Sequence, residues 1–96
     1  WEATRYLLDG KMFVMIGNDK AGRDIISLKL NPEYGQFLRD AYDDVYPGYY
    51  LNKDHWNSIN LNGSLEDQLL KELIDQSYNL ILKSLPKKTQ AALKNG

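Results

Sequence analysis

Strict alternation of apolar and polar residues marks out the strands of this chain, and apolar residues recurring at three and four mark out its helices. Thr4–Leu8 and Lys11–Ile16 flank Asp9-Gly10, a two-residue turn in which both positions need positive φ, so the two runs predict a hairpin. Direct pairing across that turn sets Tyr6 opposite Phe13 and Arg5 opposite Val14. Tyr6, Leu8, Phe13 and Met15 then share one side and Arg5, Leu7, Met12 and Val14 the other, with Arg5 on the wetter side. After a turn-rich connection, Asp24–Leu30 alternates again and predicts a third, antiparallel strand with Ile26, Leu28 and Leu30 inward and Ser27 and Lys29 outward.

Asn31-Pro32 is a helix start: asparagine as N-cap and proline at the first helical position. The helix is expected to run to about Val45 and to bury one stripe of Tyr34, Phe37, Leu38, Ala41, Tyr42 and Val45. Tyr46-Pro47-Gly48-Tyr49 suits a type II turn. Asn52 caps a single turn through Lys53-Asp54-His55, and Trp56–Leu61 reads as a strand. Ser64 is the expected cap of the last long helix, with Asp67 completing a weak capping box. Leu65, Leu69, Leu70, Leu73, Ile74, Tyr78, Ile81 and Leu85 line one face of it; Pro86 ends it, and Lys87–Leu93 adds a further turn or two.

Antiparallel strands with two amphipathic helices predict an α+β fold of two layers, the helices packed on one face of the sheet. The other face then has no covering element. By strand parity Trp56 belongs to that face with Ser58, Asn60, Ser27, Lys29 and Arg5, where an indole is available to stack against a ligand.

Composition narrows the picture. Ninety-six residues, 43% hydrophobic and 26% charged, make one small globular domain. The absence of cysteine excludes disulfides, thiolate metal sites and cysteine nucleophiles, and a reducing cytoplasm is the natural compartment. The longest apolar run, Met12–Ile16, is far below the ~20 residues of a membrane-spanning helix, so no membrane association is expected. The chain opens on Trp1 and reads as a piece of something longer. Net charge is −1, yet from Lys83 onward only cations occur: Lys83, Lys87, Lys88 and Lys94. Lysines at a helix end complement its dipole; a basic tail on phosphate is the alternative. The overall acidity argues against strong unspecific nucleic-acid binding.

Enzyme templates find little support. His55 is the one histidine, with no Gly-x-Ser-x-Gly elbow to serve. Gly17–Asp24 has the glycine spacing of a phosphate loop but places Arg23-Asp24 where a lysine and a hydroxyl residue must stand. Asp40, Asp43 and Asp44 cluster against the dipole of the first helix without the loop geometry of a metal site. No catalytic residue, metal or cofactor is therefore expected. Tyr46, Tyr49, Tyr50, Lys53, His55 and Trp56 combine aromatic faces with cations, which suits bases and phosphates. Tyrosines closing the end of a small core account for the same residues.

The run Leu51-Asn52-Lys53-Asp54-His55-Trp56-Asn57-Ser58-Ile59-Asn60-Leu61-Asn62-Gly63-Ser64-Leu65, followed by Asp75-Gln76-Ser77-Tyr78 and Leu85-Pro86-Lys87-Lys88, resembles the signature of the MmcQ/YjbR family. Ile26–Pro32 and Trp1–Thr4 also sit where that family has similar segments, so the resemblance covers nearly the whole chain. It implies an α+β fold like that of the bacterial frataxin homologue, without that protein's acidic iron-binding surface. Members of the family are commonly described as DNA-binding through a proposed double-wing arrangement. The matching positions are Lys29, Leu51, Asn52, Lys53, His55, Trp56, Ser77 and Tyr78, none with a catalytic role. Members of the family usually have a helix before the position of Trp1; a chain that lacks it is expected to leave apolar surface on the helical side either exposed or covered by a second copy.

The expected function is a nonenzymatic DNA-binding module using Arg5, Lys29, Asn52, Lys53, His55, Trp56 and Asn60, with the cations on phosphate and Trp56 stacking. The alternative is a protein-interaction or small-ligand-binding accessory domain of a larger polypeptide. A homodimer is compatible with either.

Overall fold

Asp9 and Gly10 both adopt positive φ, 50° and 79°, and so close a tight turn between β1 (Ala3–Leu8) and β2 (Lys11–Asn18). The computed structural model describes residues 3–48 and 52–95. The pairing begins as the turn dictates, Leu8 with Lys11 and Leu7 with Met12, and then shifts, so that Tyr6 faces Val14 and Arg5 faces Met15. Phe13 is the extra residue of a β-bulge. This corrects the expected register: beyond the bulge Tyr6 shares a face with Val14, and Arg5 shares one with Met15, because one inserted residue exchanges the faces of all that follows.

β3 (Asp24–Lys29), β4 (Val45–Pro47) and β5 (Trp56–Asn60) complete a five-stranded antiparallel sheet in the order β1-β2-β3-β5-β4. Val14, Ile26, Leu28, Val45 and Ile59 occupy one face and, with Leu30, Leu38 and Leu73, form the main core. A second cluster of Leu8, Ile81, Leu82 and Leu85 closes the hairpin end.

The first helix is α1 (Pro32–Ala41), with the Asn31 carboxamide oxygen accepting the Glu33 N–H at 2.9 Å. It stops well short of Val45: Tyr42 is extended and Val45 opens β4. Of the expected Tyr46–Tyr49 turn, Tyr46 and Pro47 instead pair with Ser58 and Asn57 and Gly48 lacks the positive φ of a type II turn, while Tyr49 lies outside the described residues. The buried stripe is also narrower than its apolar spacing suggests. Gly35 and Leu38 are buried and Tyr34 packs on the core, whereas Phe37 is 62% and Tyr42 40% exposed and Ala41 faces solvent.

Gly35 explains the rotation. A Cβ at that position would stand 2.9 Å from the Asn57 carboxamide nitrogen, and Asn57 is fully buried while accepting a hydrogen bond from Arg39. The helix comes close to the sheet on its glycine side. Gly35→Ala is therefore expected to lower stability by about 1–3 kcal/mol, the usual cost of overpacking, although alanine is the better helix former by ~1 kcal/mol. Urea unfolding reads the sign directly.

The long helix α2 (Asp67–Ser84) runs back along the sheet and carries the predicted apolar face onto both clusters. Ser64 is not its cap. Glu66 occupies that position without a side-chain bond, and the Ser64 N–H and hydroxyl instead donate to the Asp44 carboxylate at 2.7 and 3.1 Å. Beyond Pro86, α3 (Lys87–Asn95) is tied back by Gln90 Nε2 donating to the Leu85 carbonyl at 2.7 Å. Ser77 of α2 meets the bulge: its hydroxyl donates to the Phe13 carbonyl at 2.6 Å and accepts the Lys29 N–H at 2.9 Å, where β2 and β3 part.

Candidate nucleic-acid interface

Antiparallel order fixes which ends of the elements meet. The β1–β2 turn, the end of β3, the start of β5 and the C-terminal end of α2 lie at one end of the sheet, since Leu8 packs on Ile81 and Leu85 and Lys29 pairs with Trp56. That end holds Lys11, Lys29, Lys53, Lys83, Lys87 and Lys88, against Asp9, Glu33 and Asp54. The β2–β3 loop, the end of α1 and the β5–α2 connection lie at the other, where Asp24, Asp40, Asp43, Asp44 and Asp67 stand with Lys20, Arg23 and Arg39. Cations thus outnumber carboxylates at one end of the strands, and carboxylates outnumber cations at the other.

Asn52, Lys53 and His55 form the rim of the cationic end. The Asn52 carboxamide oxygen accepts the Asp54 N–H at 2.9 Å and its carbonyl accepts the Trp56 N–H at 2.9 Å, which makes the predicted single turn. The His55 carbonyl accepts the Leu30 N–H at 2.8 Å and so joins this turn to the end of β3. Lys53 is exposed, while Lys29 and His55 are half-buried. Tyr49, Tyr50 and Leu51 lie outside the described residues.

The remaining expected residues stand elsewhere. Arg5, on β1, is separated from β5 by two strands; it lies opposite Met15, beside an open cleft of about 920 Å³ that Asn18 and Asp24 also line. Asn60 sits at the carboxylate end, its side chain accepting the Asn62 N–H at 3.0 Å and its own N–H donating to the Asp44 carbonyl at 3.0 Å. Register does place Arg5, Lys29, Trp56 and Asn60 on one face, with Ser27 and Ser58. That face is not open, however. Trp56 is only 9% exposed, and Met15, Ile25, Ser27 and Ser58 are buried. The expectation of a wet indole is corrected: the ring is packed beneath the chain's own atoms.

At the other end of the same face the β2–β3 loop folds toward Tyr46 of β4. Asp19 is buried and accepts N–H groups of Ala21 and Arg23 at 3.0 and 2.9 Å, the Arg23 Nε–H at 2.7 Å and the Tyr46 hydroxyl at 3.2 Å. The Arg23 guanidinium lies 5.1 Å from the Tyr46 ring centroid. Burial works to raise the Asp19 pKa, but the Arg23 hydrogen bonds and charge and the Tyr46 hydroxyl outweigh it and bring it below the usual carboxylate value. Burial first, with the Asp19 carboxylate, holds Tyr46 above the usual phenol value against the Arg23 charge.

A depressed folded-state carboxylate stabilises the fold above its unfolded pKa, near ~3.9, and that contribution disappears as pH falls through the lower folded value. A raised phenol has the opposite consequence, lost stability above about 10. Thermal melts from neutral to acid pH are expected to show a Tm decline below about 4 that is shallower in Asp19→Asn, whose neutral side chain has already lost the charge.

The carboxylates of the other end have partners too: Asp40 accepts from Gln36 Nε2 at 2.8 Å, and Asp44 from Ser64. Among the described residues no group of three His, Asp or Glu side chains is placed to hold a metal, and no helix is long and apolar enough to cross a membrane. Lys83, Lys87 and Lys88 are the residues that sequence reasoning left to the helix dipole; the signal that joins them to Lys29 and Lys53 is the antiparallel return of α2.

Comparison with known proteins agrees with this architecture. A family model described as YjbR matches residues 1–80. The chain is 36% identical over 93 residues to the uncharacterized protein YjbR of Escherichia coli K12, covering 97% of this chain and 78% of that protein. It is 32% identical over 91 residues to the uncharacterized protein YbdF of Escherichia coli O157:H7, covering 95% and 74%. Protein DR2400 of Deinococcus radiodurans, whose crystal structure carries the family-model domain DUF419, superposes with a TM-score of 0.79 at 34% identity, over 96% of this chain and 67% of that one. None of these descriptions names a function. The family model and the similarity along almost the whole length establish that the chain belongs to the YjbR family.

Proposed function

We propose that this protein is a nonenzymatic nucleic-acid-binding module that holds the phosphate backbone at the cationic end of the sheet. The observation that carries the proposal is the convergence of Lys29, Lys53, Lys83, Lys87 and Lys88 on one end, where with Lys11 they outnumber the carboxylates Asp9, Glu33 and Asp54. Clustered lysines neutralise phosphate and release counterions, and a chain with net charge −1 can present such a cluster because its charges are unevenly distributed. His55 and Asn52 supply hydrogen-bonding groups at the rim. Trp56 has no stacking role in this arrangement; it supports the turn that carries Lys53. Arg5 and Asn60 lie away from the contact.

Titration of labelled single- and double-stranded DNA by fluorescence anisotropy tests this. Binding is expected at about 50 mM salt with log K falling linearly in log salt. Lys53→Glu and Lys87→Glu each weaken binding and reduce the slope by about 1, whereas Arg5→Glu changes neither by as much. Absence of any saturable anisotropy change at low salt overturns the proposal.

A second reading, a protein-interaction accessory domain, is favoured by α1. Tyr34 and Phe37 stack with ring centroids 6.2 Å apart and planes 12° from parallel, and Phe37 is largely exposed beside Asp40. Association with a protein that persists in Lys29→Glu and Lys53→Glu but is lost in Phe37→Ala, with no DNA bound, selects that reading.

A further inference from the structure

The connection from β5 to α2 is fastened by Asp44. Its carboxylate accepts the Ser64 N–H at 2.7 Å and the Ser64 hydroxyl at 3.1 Å, and its backbone carbonyl accepts the Asn60 N–H at 3.0 Å. That carboxylate also fills the space a Cβ at position 63 would take, so any side chain there displaces it from Ser64. The fold thereby calls for a glycine directly after Asn62. In an Asn-Gly pair the asparagine side chain is most open to attack by the next backbone nitrogen, because no Cβ stands in the way.

Asn62 is also loosely held. It and Gly63 are both exposed, in a turn. The Asn62 Nδ2 reaches the Asp24 carboxylate only at 3.5 Å, the outer limit of a hydrogen bond, and the Gly63 N–H meets the Asn60 carbonyl at 3.2 Å. Other asparagines are protected, each for its own reason. Asn57 is fully buried, and Asn18 donates to Asp24 at 2.8 Å. The Asn60 carboxamide accepts the Asn62 N–H and is followed by Leu61, while Asn31 precedes a proline, whose nitrogen has no proton to lose.

We propose that Asn62 is a site of spontaneous covalent modification, converting through a cyclic imide to aspartate and isoaspartate, and that the products loosen the β5–α2 connection. The Gly63 nitrogen, its proton taken by hydroxide, bonds to the Asn62 Cγ; the Cγ–Nδ2 bond breaks and ammonia leaves with a proton from water. Water then opens the five-membered imide at either carbonyl, giving aspartate or, where the main chain passes through Cγ, isoaspartate. The net reaction consumes water and releases ammonia, with no other reactant. Aspartate replaces a weak hydrogen bond to Asp24 by two like charges, and isoaspartate adds a methylene to the main chain beside the Ser64–Asp44 contact, so both products work against the same connection. This proposal does not rest on nucleic-acid binding, and its test contains no nucleic acid.

The native chain is incubated in warm, mildly alkaline buffer and digested with trypsin at intervals. The peptide Asp54–Lys71 holds Asn57, Asn60 and Asn62 and is separated from Asn95-Gly96, the chain's other Asn-Gly pair. Its mass is expected to rise with time by about 1 Da, the exchange of an amide for a carboxyl group. Fragmentation places the change at Asn62, and an isoaspartyl methyltransferase labels the isoaspartate. Asn62→Gln, which would have to close a six-membered ring, keeps its mass over the same period. Protein modified at Asn62, separated by anion exchange, melts below the unmodified chain. A mass change at Asn57 or Asn60 ahead of Asn62 overturns the proposal, and so does an equal Tm of the two forms. So does a rate in the native chain more than about tenfold below that of the free Asp54–Lys71 peptide, since shielding of about 1.4 kcal/mol would mean that the turn withholds Asn62 from the reaction.

Discussion

Replacing Ser77 by alanine is expected to lower the unfolding free energy by about 2–4 kcal/mol, seen as a fall in the urea midpoint at an unchanged m-value. The side chain is fully buried, and its hydroxyl serves two backbone groups on different strands: it donates to the Phe13 carbonyl and accepts the Lys29 N–H. Neither group has its usual ladder partner, because the bulge takes Phe13 out of register and the β2–β3 pairing ends at Val14 and Leu28. Removing the hydroxyl leaves a donor and an acceptor stranded between the sheet and α2. Each unsatisfied buried group costs about 1–3 kcal/mol, whereas the methylene lost in a Ser→Ala change is nil, so hydrogen bonding dominates the effect. Water offers little relief at a site of hydroxyl size. The Lys29 amide should exchange faster in the variant, and a stability loss below about 0.5 kcal/mol would mean that the bulge relaxes and re-pairs.

The same serine shows how far the fold was legible from residues. Alternation and turn chemistry gave the hairpin, the inward set Ile26, Leu28 and Leu30, and the long face of α2, since each depends on neighbours a few residues away. What failed depends on distant partners. The bulge at Phe13 leaves no mark in β1 or β2 alone; it is stabilised by Ser77, which lies sixty-four positions on. α1 looked longer and more buried because Phe37, Ala41, Tyr42 and Val45 keep helical spacing, yet Gly35 against Asn57 sets which side faces the sheet. Ser64 had the chemistry of a cap, but Asp44, brought near by β4–β5 pairing, takes its hydrogen bonds.

The candidate site divides in the same way. Asn52, Lys53 and His55 cohere because they belong to one local turn, and Lys29 joins them through a single strand pairing. The lysines of α2 and α3 enter only once the direction of α2 is known. Parity assigned Trp56 to the correct face, but parity says nothing about burial; at the far end of that face the fold of the β2–β3 loop onto Tyr46 likewise depends on Asp19 meeting groups from Ala21, Arg23 and Tyr46.

Trp56→Ala is accordingly expected to unfold much of the population at room temperature. Truncating a buried tryptophan costs about 3–5 kcal/mol, comparable with the few kcal/mol by which a domain of this size is stable. The backbone around it adds to the sensitivity: Gly48 packs against the Trp56 Cβ and donates its N–H to the Trp56 carbonyl at 2.7 Å, and Asn52 accepts the Trp56 N–H, so both approaches to β5 are anchored on this residue. Circular dichroism should show a lost cooperative transition. Loss of DNA binding in that variant would then carry no information about stacking, because Lys29 and Lys53 would lose their positions along with the fold. Trp56→Phe separates the two effects. It keeps an apolar ring in place, is expected to cost about 1–3 kcal/mol, and should leave the salt dependence of binding unchanged if phosphate contacts supply the affinity. In a Trp1→Phe background the Trp56 emission should be blue-shifted and resistant to iodide, and DNA should leave it so. An emission that is red-shifted and readily quenched would place the indole in water and return stacking to consideration.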